Sequence, residues 1–210
     1  MQPDRNKYEQ AVALWRDWNA KINVISRKDA DCIFEHHILH SLAIAEYAGR
    51  FYGPGWGAGL RVLDLGTGGG FPGIPLAMEW PGAQFTLCDS IGKKVKVAQA
   101  VADGVGLRNV TCVQARVEEL PGEWDCVVSR AVAPLDTLYG WVKGRFSGSL
   151  ICLKGGDVND EIASLLRKHR LSPGQVRAWK ISDWLDDEYF AEKFVIEVGK
   201  SYLCSPFEEK

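Results

Sequence analysis

The sequence predicts an α/β fold in which a largely parallel sheet, wrapped by helices, follows an N-terminal helical extension. Three observations predict it. Apolar residues before residue 53 recur at helical spacing. From Leu60 onward, short β-branched runs alternate with helical segments, which is the pattern of βαβ units. Between the first of those runs and the helix after it lies a glycine-rich turn, 66–73.

Taken in order, Tyr8, Ala11, Val12, Trp15, Trp18 and Ile22 form one face of an amphipathic helix. Residues 21–28 read as a connector. Asp29 is the expected N-cap of a second helix, whose apolar stripe runs through Ile33, Phe34, His37, Ile38, Ser41, Leu42 and Ile44 toward Tyr47. Residues 53–59 hold four glycines and a proline, too many helix breakers for anything but a loop. The chain thus divides into an N-terminal helical extension, 1–58, and a sheet domain, 59–210. Strands are expected at 61–65, 84–88, 110–113, 126–129 and 150–153, with helices at 73–79, 92–105, 135–145 and 159–168. Segments 175–181 and 194–198 are expected as an antiparallel pair at the sheet edge. The cluster Asp183, Asp186, Asp187 and Glu188 reads as a solvated face.

Composition limits the function classes. With 46% hydrophobic residues and a quarter charged, the 210-residue chain can bury a large core, so disorder is excluded. A formal net charge of −2 excludes a uniformly basic nucleic-acid coat while allowing a local basic patch. Six cysteines lack any C-x-x-C pair, and four of them fall within the apolar runs, so they read as reduced, buried thiols. No run of eighteen apolar residues and no signal-type N-terminus is present, so the expectation is a cytoplasmic protein with no membrane contact.

The chemistry concentrates in Val62-Leu63-Asp64-Leu65-Gly66-Thr67-Gly68-Gly69-Gly70-Phe71-Pro72-Gly73-Ile74-Pro75. Glycine there lets the backbone turn sharply and approach a ligand. Gly68, Gly70 and Gly73 also satisfy G-x-G-x-x-G, which keeps a nicotinamide oxidoreductase in view. Three features favour S-adenosyl-L-methionine. Asp64 stands two residues before Gly66, able to accept from loop amides or to receive an ammonium. The Gly66-Thr67-Gly68 turn need only accommodate a carboxylate, while Pro72 and Pro75 remove amide donors that a pyrophosphate would use. Asp89, at the end of the second strand, can take both hydroxyls of a ribose, although dinucleotide enzymes use an acid there too. The loop Ala115-Arg116-Val117-Glu118 follows the third strand where an adenine would lie.

Asp64 to Pro75, Asp89 with Ser90 and Lys93, Arg116 with Glu118, Ser129-Arg130-Ala131, and Lys154-Gly155 together resemble the GidB family of rRNA small-subunit methyltransferases. Trp18, Asn19, Lys21, Asn23 and His37-Ile38-Leu39 are similar to that family's helical extension, so the likeness spans about residues 18–155. It implies a Rossmann-like class I S-adenosylmethionine-dependent methyltransferase sheet, acting on guanine N7 of 16S rRNA in the small ribosomal subunit to give 7-methylguanosine; separately from the resemblance, a monomer is expected. By the same resemblance the cofactor is held by Gly66, Thr67, Gly68, Phe71, Asp89, Ser90, Val117, Glu118 and Arg130. Gly66 and Phe71 lie at its methionine side and Val117 and Glu118 at its adenine. Arg116, Arg130 and Lys154 form the cationic set around substrate and are the expected catalytic residues. At His40 the sequence departs from the aspartate of many relatives.

The residues agree with that chemistry. Attack by guanine N7 needs no general base, because N7 has no proton to lose, so alignment is what an enzyme must supply. Ser129-Arg130-Ala131 lacks the proline-aromatic motif that grips an exocyclic amine, and no proline-cysteine pair offers a covalent route. Since Arg116, Arg130 and Lys154 follow the third, fourth and fifth strands, they are expected to converge on one rim of the sheet. His36 and His40 are one helical turn apart, but no glutamate lies between them in the H-E-x-x-H place, so no metal is expected. His37 is expected to pack on the apolar helix face, with His36 and His40 in polar surroundings. A non-catalytic RNA-binding or assembly module is the remaining alternative.

Overall fold

The computed structural model describes residues 3–130 and 132–199. Ala131, named above, lies outside the described residues, as does Cys204, one of the six cysteines. Helix α1, Glu9–Asn19, follows a short 3-10 turn and buries Ala11 and Trp15 beside Tyr8, one stripe at helical spacing. Helix α2, His40–Tyr52, continues a π-helical turn at Ile33–Leu39. Asp29 is not its N-cap: Cys32 precedes the turn without a side-chain cap. Asp29 instead accepts from the Ser26 hydroxyl at 2.6 Å and lies 2.8 Å from His36 Nδ1, which closes the connector onto the helix.

The sheet comprises β1 Arg61–Leu65, β2 Gln84–Asp89, β3 Val110–Gln114, β4 Trp124–Arg130, β5 Phe146–Gly155, β6 Val176–Lys180 and β7 Lys193–Gly199. Their order is β3-β2-β1-β4-β5-β7-β6, parallel from β3 to β5, with β7 antiparallel to both β5 and β6. The expected edge pair is therefore present. The connecting helices are α3 Gly73–Glu79, α4 Gly92–Gly104, α5 Leu135–Val142 and α6 Asn159–His169. The fifth ends three residues before the expected 145, because Lys143 is extended and Gly144 turns at φ +81°.

Two apolar layers cover the sheet. One joins Tyr8, Trp15, Ile33, Ile38 and Tyr47 of the extension to Val62, Val128, Val97 and Val101. The other packs Leu135, Leu138 and Leu165 of α5 and α6 on Leu63, Val127 and Cys152. Alternate residues of each strand feed alternate layers, as the pleat requires. The strand order reverses direction between β1 and β4, so a crevice opens outside their carboxyl ends, where open α/β sheets bind ligands. Among the described residues, no helix is long and apolar enough to cross a membrane.

Candidate active site

A cavity of about 420 Å³ fills that crevice. All nine residues expected at the cofactor line it: Gly66, Thr67, Gly68, Phe71, Asp89, Ser90, Val117, Glu118 and Arg130. The loop geometry explains the glycines. Gly66 has φ +72°, and a Cβ there would meet Val132 Cγ2 at 2.4 Å; Gly68 has φ +57°. The loop is latched to β2, because Gly66 and Thr67 donate their amides to the Cys88 carbonyl and Gly68 donates to Asp89 Oδ2 at 3.0 Å. Asp89 Oδ1 accepts from the Ile91 amide at 2.9 Å. Its carboxylate is thus fixed in place at the cavity wall, each oxygen keeping a further lone pair for a diol.

The start of α3 separates the two cofactor readings. The Gly73 amide donates to Asp64 Oδ2 at 2.8 Å and the Ile74 amide to the Gly70 carbonyl at 2.8 Å, while Pro72 and Pro75 have no amide hydrogen. The helix offers no free amide of this first turn to a pyrophosphate. An acid-lined cavity with a closed helix start fits a nucleoside bearing an amino-acid tail, and does not fit a dinucleotide.

Asp64 works beneath the loop. It is fully buried, accepts from the Thr67 hydroxyl at 2.6 Å as well as from Gly73, and its Oδ1 has no hydrogen-bond partner among the described residues. Burial pushes its carboxyl up to about 7 despite those two bonds. Of the two roles open to it in the sequence, binding the loop is the one these contacts fill.

Arg130 ends β4, whose position at the switch point is held by Ser129 Oγ donating to the Leu65 carbonyl at 2.8 Å. Its guanidinium lies 4.8 Å from the Phe71 ring centroid, and its Nη2 is 2.9 Å from His37 Nδ1. Burial lowers its pKa to about 10, so it remains a cation at neutral pH. Burial first, and Arg130 second, lower His37 to about 3. His37 is therefore neutral, accepts at Nδ1 and carries its proton on Nε2. Phe71 gathers the extension around the loop: Trp15 stacks on it at 4.2 Å and donates its Nε1–H to the Gly69 carbonyl at 2.7 Å.

The three expected cations do not converge. Arg116 and Arg130 line the cavity, but Lys154 does not: its ammonium is 2.8 Å from Glu161 Oε2 and donates to the Ala133 carbonyl at 2.6 Å. The cause is strand parity. Cys126 and Val128 face the layer that holds the extension, so Arg130 faces it too, whereas Leu150 and Cys152 face α5 and α6, and Lys154 with them. His40 also departs from expectation. It is buried, edge-on to Phe190 at 5.8 Å, rather than in polar surroundings. His36 stacks on Tyr189 at 3.7 Å.

Residues that sequence reasoning missed include Val24 from the connector and Trp141 from α5, both at the cavity wall. Arg145 is another. It donates to the carbonyls of Val117 and Leu120 and so secures the turn that carries Val117 and Glu118. No local motif marks any of them; each arrives by tertiary packing.

A sheet of this order, with an acid at the end of β2 and a glycine loop latched to it, defines a class I S-adenosylmethionine-dependent methyltransferase. Its solved likenesses share that fold. Magnesium protoporphyrin IX methyltransferase of Synechocystis, with bound SAM, matches at TM-score 0.63 and 19% identity over 94% of this chain and 95% of its own. A T. thermophilus 16S rRNA N2-guanine methyltransferase, in complex with AdoMet and guanosine, matches at TM-score 0.59 and 20% identity over 77% of this chain and 43% of its own. Within the class, the GidB profile, rRNA small subunit methyltransferase G, matches residues 4–183, and the chain belongs to that family. It is 46% identical to ribosomal RNA small subunit methyltransferase G of Bacteroides fragilis over 202 residues, 92% of each chain. It is 43% identical to the Christiangramia forsetii protein of that name over 205 residues, 94% of this chain and 90% of the other. The protein is an S-adenosylmethionine-dependent methyltransferase of 16S rRNA guanine.

Proposed function

We propose that the methyl acceptor is guanine N7, that Arg130 is the residue that orients the base, and that the protein acts as a monomer. The observation that carries the first two is the make-up of the cavity at the end of β4. A cation stands there, held by a neutral histidine, and Asp64, a carboxylate whose charge acts on it together with that of Asp29, is engaged with the glycine loop and holds its proton up to about pH 7. Arg130 offers donors only, which match the O6 acceptor of guanine and leave the N7 lone pair free to attack.

S-adenosyl-L-methionine, when bound, supplies an electrophilic methyl on a sulfonium, with a neutral thioether as leaving group. The chain's own work is placement. Asp89, fixed by the Gly68 and Ile91 amides, would hold the ribose. Val117 and Glu118 would border the adenine; Ser90 follows Asp89 at the cavity, and Thr67 lines it within the glycine loop. Gly66, Gly68 and Phe71 would border the methionine side. Ile91 and Val132, about 40% exposed at the mouth, supply apolar cover that limits water. Arg116, exposed beside the adenine wall, is suited to an RNA phosphate. Lys154 acts at one remove, by tying β5 to α6 through Glu161. Alignment of this kind can be worth about 7 to 11 kcal/mol of a displacement barrier.

The division into an extension, 1–58, and a methyltransferase region, 59–210, is supported by the loop Gly53 to Gly59, which precedes β1. Nucleoside analysis of small-subunit rRNA from a deletion strain tests the acceptor. The reading requires loss of one 7-methylguanosine, restored by the purified protein with S-adenosylmethionine. A full complement of 7-methylguanosine in the deletion strain overturns it.

A further inference from the structure

A second hollow, of about 520 Å³, lies on the other side of the connector from the active-site cavity. Asn23 lines this hollow and the next residue, Val24, lines the cavity, so the two are separated by a single step of chain. The step is firmly held. Asn19 Oδ1 accepts the amides of both Val24 and Ile25 at 2.9 Å, and Ile25 is buried in the core.

Among the described residues, three cations line the hollow, Arg16, Lys21 and Arg27, and one acid, Asp31. Among the described residues none of the three cations is within ion-pair distance of a carboxylate, whereas Arg5, Lys7, Arg50 and Arg61 each hold one. Beside the hollow, the Trp18 ring has the Lys21 ammonium 5.3 Å from its centroid and the Lys96 ammonium, from α4, at 5.9 Å. Two residues earlier on α4, Lys94 lines the active-site cavity. Unpaired positive charge thus runs from the hollow to the active site, on a chain whose net charge is −2. A concave surface focuses such charge, and guanidinium groups pair with phosphate in a bidentate fashion.

We propose that this hollow is the docking site for the ribose-phosphate backbone of the rRNA substrate next to the target nucleotide, with the chain passing over Asn23 and Val24 into the cavity. The proposal rests on the cavity being where the guanine is methylated. It assigns Arg16, Lys21 and Arg27 a role in RNA binding that is separate from cofactor binding.

The test compares two triple variants that remove the same charge. One is Arg16→Gln/Lys21→Gln/Arg27→Gln. The other is Lys143→Gln/Arg167→Gln/Arg170→Gln, all exposed and near α5 and α6 on the opposite face. Binding to unmethylated small ribosomal subunits is measured at several salt concentrations, with S-adenosylhomocysteine titrated in parallel. For the hollow variant, the slope of log K against log salt should become shallower by about 2, at about 0.7 per lost single-strand phosphate contact. Its S-adenosylhomocysteine affinity should stay within twofold of the parent. The opposite-face variant should keep the parental slope. Arg27→Gln alone, a change at an exposed side chain, should lower the slope by about 0.7 and serves if the triple variant folds poorly. An unchanged slope, or an equal change in both triples, overturns the proposal. A parent that binds with the expected salt dependence yet forms no 7-methylguanosine would instead defeat the N7 assignment alone.

Discussion

Arg130 Nη2 and His37 Nδ1 are 2.9 Å apart, and this hydrogen bond joins the end of β4 to the helical extension across 93 residues of chain. The pairing has a fixed polarity. A guanidinium can only donate, so His37 must be neutral and must accept.

Removing that acceptor should loosen the guanidinium without emptying the cavity. We expect His37→Phe, which keeps the contact with Phe71, to lower single-turnover methyl transfer about tenfold or more, the range of a hydrogen bond to a charged group. S-adenosylhomocysteine affinity should fall far less. His37→Asn, whose side-chain oxygen can still accept, should recover part of the rate; equal loss in both variants would count against the positioning role.

Asp89→Ala should weaken S-adenosylhomocysteine binding by about 1.5 to 3 kcal/mol, the worth of a charged hydrogen-bonding partner. Two effects combine there, since the ribose acceptor is lost and the Gly68 amide loses its latch. Calorimetric affinity equal to the parent's would remove Asp89 from the site.

Arg145→Ala should weaken S-adenosylhomocysteine binding although Arg145 does not line the cavity. It fixes the Val117–Glu119 turn through two carbonyls, and its guanidinium lies 5.7 Å from the Trp124 ring centroid. Faster amide exchange confined to residues 117–120, with a weaker Kd, is the expected signature.

The pH dependence of stability has two opposed limbs. Asp64 has a raised folded pKa of about 7 against 3.8 for a free carboxyl, so the folded state holds its proton more tightly. Its contribution is present at low pH and is lost as pH rises through about 7. His37, lowered to about 3, and His40, lowered well below 6.5, contribute above pH 6.5 and lose that contribution as pH falls. Thermal melts of Asp64→Asn should therefore lack the decline near pH 7 that the parent shows, while both share the acid decline. Parallel melting curves for parent and variant from pH 5 to 8 would contradict the burial argument.

Much of this site could be read from the chain because it is local. The turn at Gly66 to Gly73 and the acid at 89 sit at the ends of strands whose β-branched runs declare themselves, and β1 and α3 fall at the expected residues. What failed depended on direction or on distant packing. Lys154 does end its strand on the correct rim, but a strand end sets height and parity sets side. Comparing Val128 and Arg130 with Cys152 and Lys154 by the layer each pair feeds would have separated the two cations. Asp29 has the residue type of a cap, yet it stands four positions before the first helical residue and binds Ser26 and His36 instead. Trp141 and Arg145 carry no periodic or motif signal, because their contacts are set by how α5 docks.

Cys88, Cys112, Cys126 and Cys152 occupy four different strands of one sheet, and burial raises each thiol above its ordinary range. A thiolate is the reactive form, so at neutral pH these four thiols should react more slowly with alkylating reagents while the sheet is closed than once their strands have separated. Because they are spread across β2, β3, β4 and β5, the order in which they become modified in denaturant records which strands separate first. The protein carries its own strand-by-strand chronometer of unfolding, readable by the mass that each alkylation adds.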